Sequence, residues 1–400
     1  MTNQIPLKSI FLTFLKIGCL AFGGYVALMA IIEKEIVSRK KWLPSETLVD
    51  GMALTNLLPG PMAVNLVAFC GYHLRSILGA IFSVVAVLLP SFIMIVFLAH
   101  LYFNNLFDLE NSSFFDGVAL AISAMILTVG YEMSIKHKTN NSSILKIALS
   151  FILCFAFSLI TPLFPFLIII LFGVLTILNQ LLFSAQPAVI PNSRKYSLNI
   201  SFPKLFILLL FIALTVFAYY FEFISEMAIS FSTMSVTMFG GGYVFIPMAK
   251  GIVVEQNAWL SLSEYYDGVA LGQMTPGPIM ISVAFIGYKI NGVWGALTAT
   301  IAFFTPPSIL IIMSAKIAEQ LKTNGIYNQC LKNIRLAVIG IIIFTGVIMA
   351  KEYLYSNLNN SIQIAGLFLF ILSLVLIAKF KISYLIVIPV LGSLALLINL

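Results

Sequence analysis

The 400-residue sequence predicts an all-α polytopic membrane protein of about thirteen transmembrane helices, arranged as two inverted-topology repeats with broken helices. Three observations predict it. The chain is 60% hydrophobic and only 9% charged, with a mean hydropathy of +1.05, whereas a soluble globular domain carries about 25% charged residues. Its apolar runs are roughly 18–28 residues long and lack strand alternation, which suits spanning helices and not a barrel. A set of Gly, Pro, Trp and Asp residues also recurs at one spacing in both halves.

The apolar segments are expected, in order, at roughly 9–32, 48–72, 76–103, 114–135, 144–160, 163–183, 204–221, 226–248, 265–288, 292–315, 333–350, 361–378 and 382–400. The opening MTNQIPLKSIFLTFLKIGCLAFGG reads as the first membrane helix. It lacks the strongly basic start and small-residue cleavage site of a signal peptide. The polar stretch AQPAVIPNSRKYSLNISFP (185–203) reads as the connection between halves. The chain then divides into a first repeat at 1–184, a linker with a connecting transmembrane helix at 185–225, and a second repeat at 226–400.

The repeat is read residue by residue. Phe22-Gly23-Gly24 matches Phe239-Gly240-Gly241 at an offset of 217. Trp42 matches Trp259, Asp50 matches Asp267, and Pro59-Gly60-Pro61 matches Pro276-Gly277-Pro278 at that offset. The offset slips to 216 for Gly71-Tyr72 and Gly287-Tyr288, then returns to 217 for Pro90-Ser91 and Pro307-Ser308. With every segment crossing and the N-terminus inside, the inner loops hold fifteen Lys and Arg and the outer loops six. The positive-inside rule favours that arrangement. Seven crossings then precede the second copy, which inverts it. If both Pro-Gly-Pro segments re-enter instead, six precede it and the copies are parallel. The loop EKEIVSRKKW (33–42) is basic yet falls outside. It is either a local exception or a mouth that gathers anions.

The two breaks in each copy carry the functional reading. Phe-Gly-Gly interrupts the first helix and Pro-Gly-Pro the second, and Pro cannot continue a helix. Interrupted helices in inverted repeats mark secondary transporters. Irregular backbone at membrane depth is tolerated where it lines a cavity, and a helix N-terminus there binds anions. Two such ends supply roughly one positive charge, so a dianion needs a further cation or more donors. The expected binding residues are Gly23, Gly24, Asn56, Pro59, Gly60, Pro61, Asn65, Gly240, Gly241, Gln273, Pro276, Gly277, Pro278 and Ser282, flanked by Thr55 and Thr275. Lys16 is either the intramembrane cation of that site or a chain that snorkels to the surface. Asp50 and Asp267 are either helix N-terminal caps or proton-coupling carboxylates.

Other chemistries find little support. Cys19, Cys70, Cys154 and Cys330 show no disulfide or metal spacing. His73, His100 and His137 are scattered, which argues against a membrane enzyme on lipid phosphate. No phosphate-binding G-x-x-x-x-G-K-[ST] motif occurs. No cofactor or metal is expected, and the net charge of +7 reads as loop charge rather than a nucleic-acid surface.

The order AFGG, W-L, AL-x-N-x-x-PGP, GY, G-A and LPS, with FGGGYVFIP, DGVALGQMTPGP and PPS in the second half, resembles the chromate transporter family in its long, two-domain form. The resemblance covers both cores, about 22–91 and 239–308. It implies an inner-membrane carrier, not an enzyme, that exports chromate. Export would be driven by the membrane gradient, through proton exchange, with sulfate as a competitor. Membrane lipid is the expected surrounding, and a homodimer is left open. The alternatives within transport are uptake, or passive passage, of sulfate or another small anion.

Overall fold

The computed structural model describes residues 5–21, 24–104, 113–137, 141–158, 164–183, 222–239, 242–314, 325–355 and 360–398. Among them every element is helical and no strand occurs. Gly23, Gly240, Gly241, the connection at 185–203 and the segment expected at 204–221 lie outside the described residues.

Prolines set the first boundaries. Helix α1 (Leu7–Leu20) begins after Pro6, in extended geometry, and stops at Ala21. Helix α2 (Gly24–Ile32) follows and runs on as a π-helical stretch, Glu33–Arg39. Helix α3 (Ser45–Leu57) starts after Pro44 and ends where Pro59 forces Leu58 out of helical geometry, to φ −98° and ψ 153°. Helix α4 (Met62–Phe103) begins directly after Pro61. Then come α5 (Ser113–His137), α6 (Asn141–Ser158) and α7 (Phe164–Phe183). The second half runs α8 (Glu222–Thr237), α9 (Phe245–Lys250), α10 (Leu262–Met274), α11 (Ser282–Ser314), α12 (Gly325–Tyr355), α13 (Asn360–Leu374) and α14 (Tyr384–Leu397).

Two long helices bend sharply at matched places. Arg75 and Ser76 break α4 with φ −156° and +54°, and Asn291 and Gly292 break α11 with φ −150° and +52°. Each bend lets the arms close on paired glycines. A Cβ on Gly71 would strike the backbone of Gly79, and one on Gly287 would strike Gly295. A side chain there would part the arms.

The Pro-Gly-Pro segments, expected as single crossings, double back instead. A Cβ built on Gly51 in α3 would lie 2.5 Å from Phe69 Cδ1 in the first arm of α4. On one straight helix those residues would stand about 27 Å apart. Gly268 and Phe285 make the same contact between α10 and α11. The first break also reverses the chain, since Lys16 of α1 reaches Glu35 at 2.6 Å. Each arm of the Pro-Gly-Pro hairpins is only about 20 Å long, too short for a core of about 30 Å. Hydropathy reads such an arm pair as one span, because both arms are apolar.

The second arm of α4, residues 77–103, is about 40 Å long and acts as a ruler beside these hairpins. Gly79 meets Gly71 at the base of the first Pro-Gly-Pro hairpin. Further along, Val87 packs on Gly18, and Ser91 sits beside Gly277 at the tip of the second hairpin. At the far end Tyr102 and His100 touch Asp267 and Tyr288 at that hairpin's base. The two bases therefore lie at opposite ends of one helix, and the tips meet near its middle.

The remaining helices interlace. Helix α5 packs on α12, α13 and α14, while α12 also packs on α6 and α7. Small residues allow the close approach: Gly340 of α12 against Ser150 of α6, and Gly117 of α5 against Leu391 of α14. Among the described residues four helices are long and apolar enough to cross a membrane, Met62–Phe103, Asp116–Ile135, Ile279–Ser314 and Asn328–Lys351, with four shorter apolar helices beside them.

Candidate functional site

The tips of the hairpins are joined across the halves. The Gly60 amide donates to the Met238 carbonyl at 2.7 Å, and the Gly277 amide donates to the Ala21 carbonyl at 2.9 Å. Gly60 and Gly277 correspond in the repeat, and so do Ala21 and Met238. Both glycines take positive φ, +105° and +118°, which L-residues rarely adopt. Gly60 also lies so close to Pro307 that any Cβ would collide with that ring. Each Pro-Gly-Pro tip thus closes on the other half's Phe-Gly-Gly break.

The prolines flank this junction. Pro61 stands one residue before the first helical position of α4, and Pro278 caps a short 3-10 turn, Ile279–Ile281. Pro61, Pro276 and Pro278 are buried, and Pro59 is half-buried. Gly24 is the first residue of α2.

Four polar side chains at the breaks behave differently from one another. Asn65 is fully buried, and its Nδ2 donates to the Pro59 carbonyl at 3.1 Å. That bond fixes which amide atom is oxygen, and the Asn65 Oδ1 is left with no partner. Gln273, in the last turn of α10, is 3% exposed, and its Nε2 also has no partner. Ser282, which matches Asn65, spends its hydroxyl on the Ile279 carbonyl at 2.9 Å. Asn56, which matches Gln273, is exposed and bonds back to the Met52 carbonyl at 2.8 Å. Thr55 and Thr275 likewise donate to Met52 and Gly272 within their own helices. Buried polar groups in native proteins are normally paired. Among the described residues the Asn65 Oδ1 acceptor and the Gln273 Nε2 donor are buried without a partner.

The electrostatics of the junction differ from a simple count of helix N-termini. Because the hairpins double back, α3 and α10 bring their carbonyl ends to the tips along with the amide ends of α4 and α11, so the end charges partly cancel. Arg335 changes the balance. It stands at the edge of the segment expected at 333–350, inside α12, and its guanidinium donates to the carbonyl of Asn56, in the last turn of α3. This cation had no signal in the sequence beyond its charge.

Lys16 is engaged elsewhere. Its ammonium pairs with Glu35 at 2.6 Å, and Arg39 approaches the same carboxylate at 3.3 Å. The hydrogen bond from Lys16 holds the Glu35 carboxyl below its ordinary range, against opposition from burial, and the Lys16 and Arg39 charges add to it. The two matched aspartates also part company. Asp50 is exposed, whereas Asp267 is 3% exposed and accepts a 2.5 Å hydrogen bond from the Tyr102 hydroxyl.

A groove of about 350 Å³ between the second arms of α4 and α11 is lined almost wholly by apolar side chains, among them Ile81, Leu88 and Phe304. It offers an anion nothing. Among the described residues no group of three or more His, Cys, Asp or Glu is placed to hold a metal.

Fold and composition together define an integral membrane protein whose broken helices meet one another across the two halves. The chain belongs to the chromate transporter family, whose profile matches residues 8–177 and 225–397. It is 28% identical over 390 residues to an uncharacterized transporter of Methanocaldococcus jannaschii, covering 94% of this chain and 91% of that protein. It is 28% identical over 388 residues to the chromate transport protein of Cupriavidus metallidurans, covering 94% and 88%. Against the chromate transport protein of Pseudomonas aeruginosa it is 25% identical over 355 residues, covering 86% and 80%. No solved structure gives a significant match. Membership indicates a transporter rather than an enzyme.

Proposed function

We propose that this chain is a secondary carrier that exports chromate, a tetrahedral oxyanion, across the cytoplasmic membrane, coupled to the proton gradient, and so confers chromate resistance. The relatives named chromate transport protein supply the cargo class. The observation that carries the reading is the crossed junction, Gly60 to Met238 and Gly277 to Ala21, with the Gln273 Nε2 donor buried and without a partner beside it. The anion binds there. Gln273 Nε2 donates to an oxyanion oxygen, and the backbone around Gly24, Pro59, Pro61, Pro276 and Pro278 shapes the walls. Arg335 supplies the further cation that a dianion requires, moving from a helix-end carbonyl to the cargo.

The halves act as inverted repeats in this reading. Of the seven segments expected before the second copy, the first as well as the Pro-Gly-Pro segment doubles back, and the odd number of crossings left inverts the second copy. The hairpin bases at opposite ends of α4 support it. Alternating access is then a rocking of the interlaced helices, α5 with α13 and α14 against α12 with α6 and α7, about a junction that stays closed by its two hydrogen bonds.

The test is chromate accumulation in inside-out membrane vesicles under an imposed proton gradient, with and without excess sulfate. Accumulation that an uncoupler abolishes and sulfate reduces is the expected result. Equilibration without accumulation makes the protein a passive channel. Movement only in the opposite sense makes it an uptake carrier.

A further inference from the structure

The repeat puts Asp50 and Asp267 at matched positions, yet the fold treats them oppositely. Asp50 is exposed. Asp267 is 3% exposed, in the second turn of α10, under a collar of rings. Tyr102 and Phe103 from the end of α4 pack on Phe285 of α11 at centroid distances of 5.4 and 4.7 Å. Tyr102 itself is 1% exposed, and its hydroxyl reaches Asp267 Oδ2 at 2.5 Å. That short bond ties the first half's long helix to the base of the second half's Pro-Gly-Pro hairpin. A buried carboxylate in a membrane protein is expensive and is a functional candidate by default.

The surrounding titratable groups are mostly engaged with each other. On α10, Glu264 pairs with Lys289 at 2.6 Å, and the Tyr265 hydroxyl donates to the Ile246 carbonyl at 2.7 Å. Tyr266 is buried beside it. On α11 and α4, Tyr288 and His100 bond to one another at 2.7 Å. The segment around α9 contributes Lys250 and Glu255, 3.6 Å apart. Helices α5 and α14, which also pack on α10, contribute Asp116 and Tyr384. Glu264 precedes Asp267 by three residues, so both lie on one helix face, with the Glu264–Lys289 pair nearer the hairpin base.

We propose that Asp267, positioned by Tyr102, is the single proton-coupling carboxylate of this carrier, and that Asp50 takes no part. The proposal rests on the reading of the chain as a proton-coupled carrier. The step is the binding of one proton to the Asp267 carboxylate, and Tyr102 keeps its own. Binding turns a charge-assisted hydrogen bond into a neutral one, which is about half as strong. The clasp between α4 and the hairpin base then loosens. Gln273 lies six residues further along α10, about 9 Å toward the tip, so a shift of this helix reaches the junction.

Purified full-length protein in proteoliposomes tests this with Asp267→Asn, Asp50→Asn and Tyr102→Phe. Chromate counterflow at equal pH reports exchange alone, and accumulation under a pH gradient reports coupling. Asp267→Asn is expected to keep counterflow and lose accumulation, and Asp50→Asn to keep both. Tyr102→Phe removes the donor to the carboxylate, so the pH profile of transport moves alkaline by about one unit. Gradient-driven accumulation by Asp267→Asn, its loss in Asp50→Asn, or an unmoved profile in Tyr102→Phe overturns the proposal and leaves the carrier reading intact. If the wild-type protein moves no chromate, the cargo reading fails instead. The infrared band of a protonated carboxyl, titrated without substrate, then decides. Its absence from Asp267→Asn and its displacement in Tyr102→Phe support the switch, and an unchanged band in either overturns it.

Discussion

The amide of Gly60 donates to the carbonyl of Met238, 178 residues away, at 2.7 Å. The reciprocal bond from Gly277 to Ala21 makes the junction nearly symmetric. Two breaks that would each leave backbone groups unpaired in lipid satisfy one another across the halves.

Alanine at the two glycines is expected to have unequal effects. Either substitution forces a left-handed L-residue, at about 1–2 kcal/mol. Gly60→Ala also drives a methyl into the Pro307 ring, which is held within α11. Gly277→Ala meets Ser91 Oγ at 2.9 Å, a side chain that can turn away. Thermal unfolding in detergent should therefore show the larger loss of stability for Gly60→Ala.

Gln273→Met should separate binding from folding. The Nε2 has no partner to lose, so stability should hold or rise. A lost hydrogen bond to an anion costs about 1.5–3 kcal/mol, so apparent chromate affinity should fall at least about tenfold. Unchanged transport would remove Gln273 from the site.

Arg335→Gln should raise the apparent KM for chromate about tenfold or more, on the same scale for a charge-assisted contact. Arg335→Lys should recover part of the loss, because it keeps the charge without the planar fork. Equal stability of both variants, with equal transport to wild type, would limit Arg335 to capping α3.

The Lys16–Glu35 pair should show in the acid limb of stability. The Glu35 carboxyl lies below its ordinary value of 4.5 in the folded chain. Its contribution is full above 4.5 and is lost as pH falls through the lower folded value. Lys16 is 46% exposed on its side chain, so the gain is about 1 kcal/mol or less. Tm against pH, compared with Lys16→Gln, measures it, and the variant should lose this part of the slope.

The breaks that build the junction were legible in the sequence. Pro59-Gly60-Pro61 and Pro276-Gly277-Pro278 announce breaks because no apolar helix needs those residues. Asn65 and Gln273 stood out as polar residues beside them. Arg335 did not, because a charge near a segment edge reads as a loop. Lys16 read as a lone cation because its partner Glu35 lies beyond a break whose direction hydropathy does not record.

By itself the sequence determined the class of this protein, the sites of its broken helices and its family, because composition, proline geometry and motif spacing are local properties. Only the tertiary structure decided that each Pro-Gly-Pro break is the tip of a doubled-back hairpin rather than a kink. It alone decided that the tips close on the opposite half, and that Asp267 is buried against Tyr102 while Asp50 is exposed. Proline and glycine permit a turn without choosing its direction. The choice is made by packing, Gly51 against Phe69 and Gly268 against Phe285, and by donors that find acceptors far away in the chain.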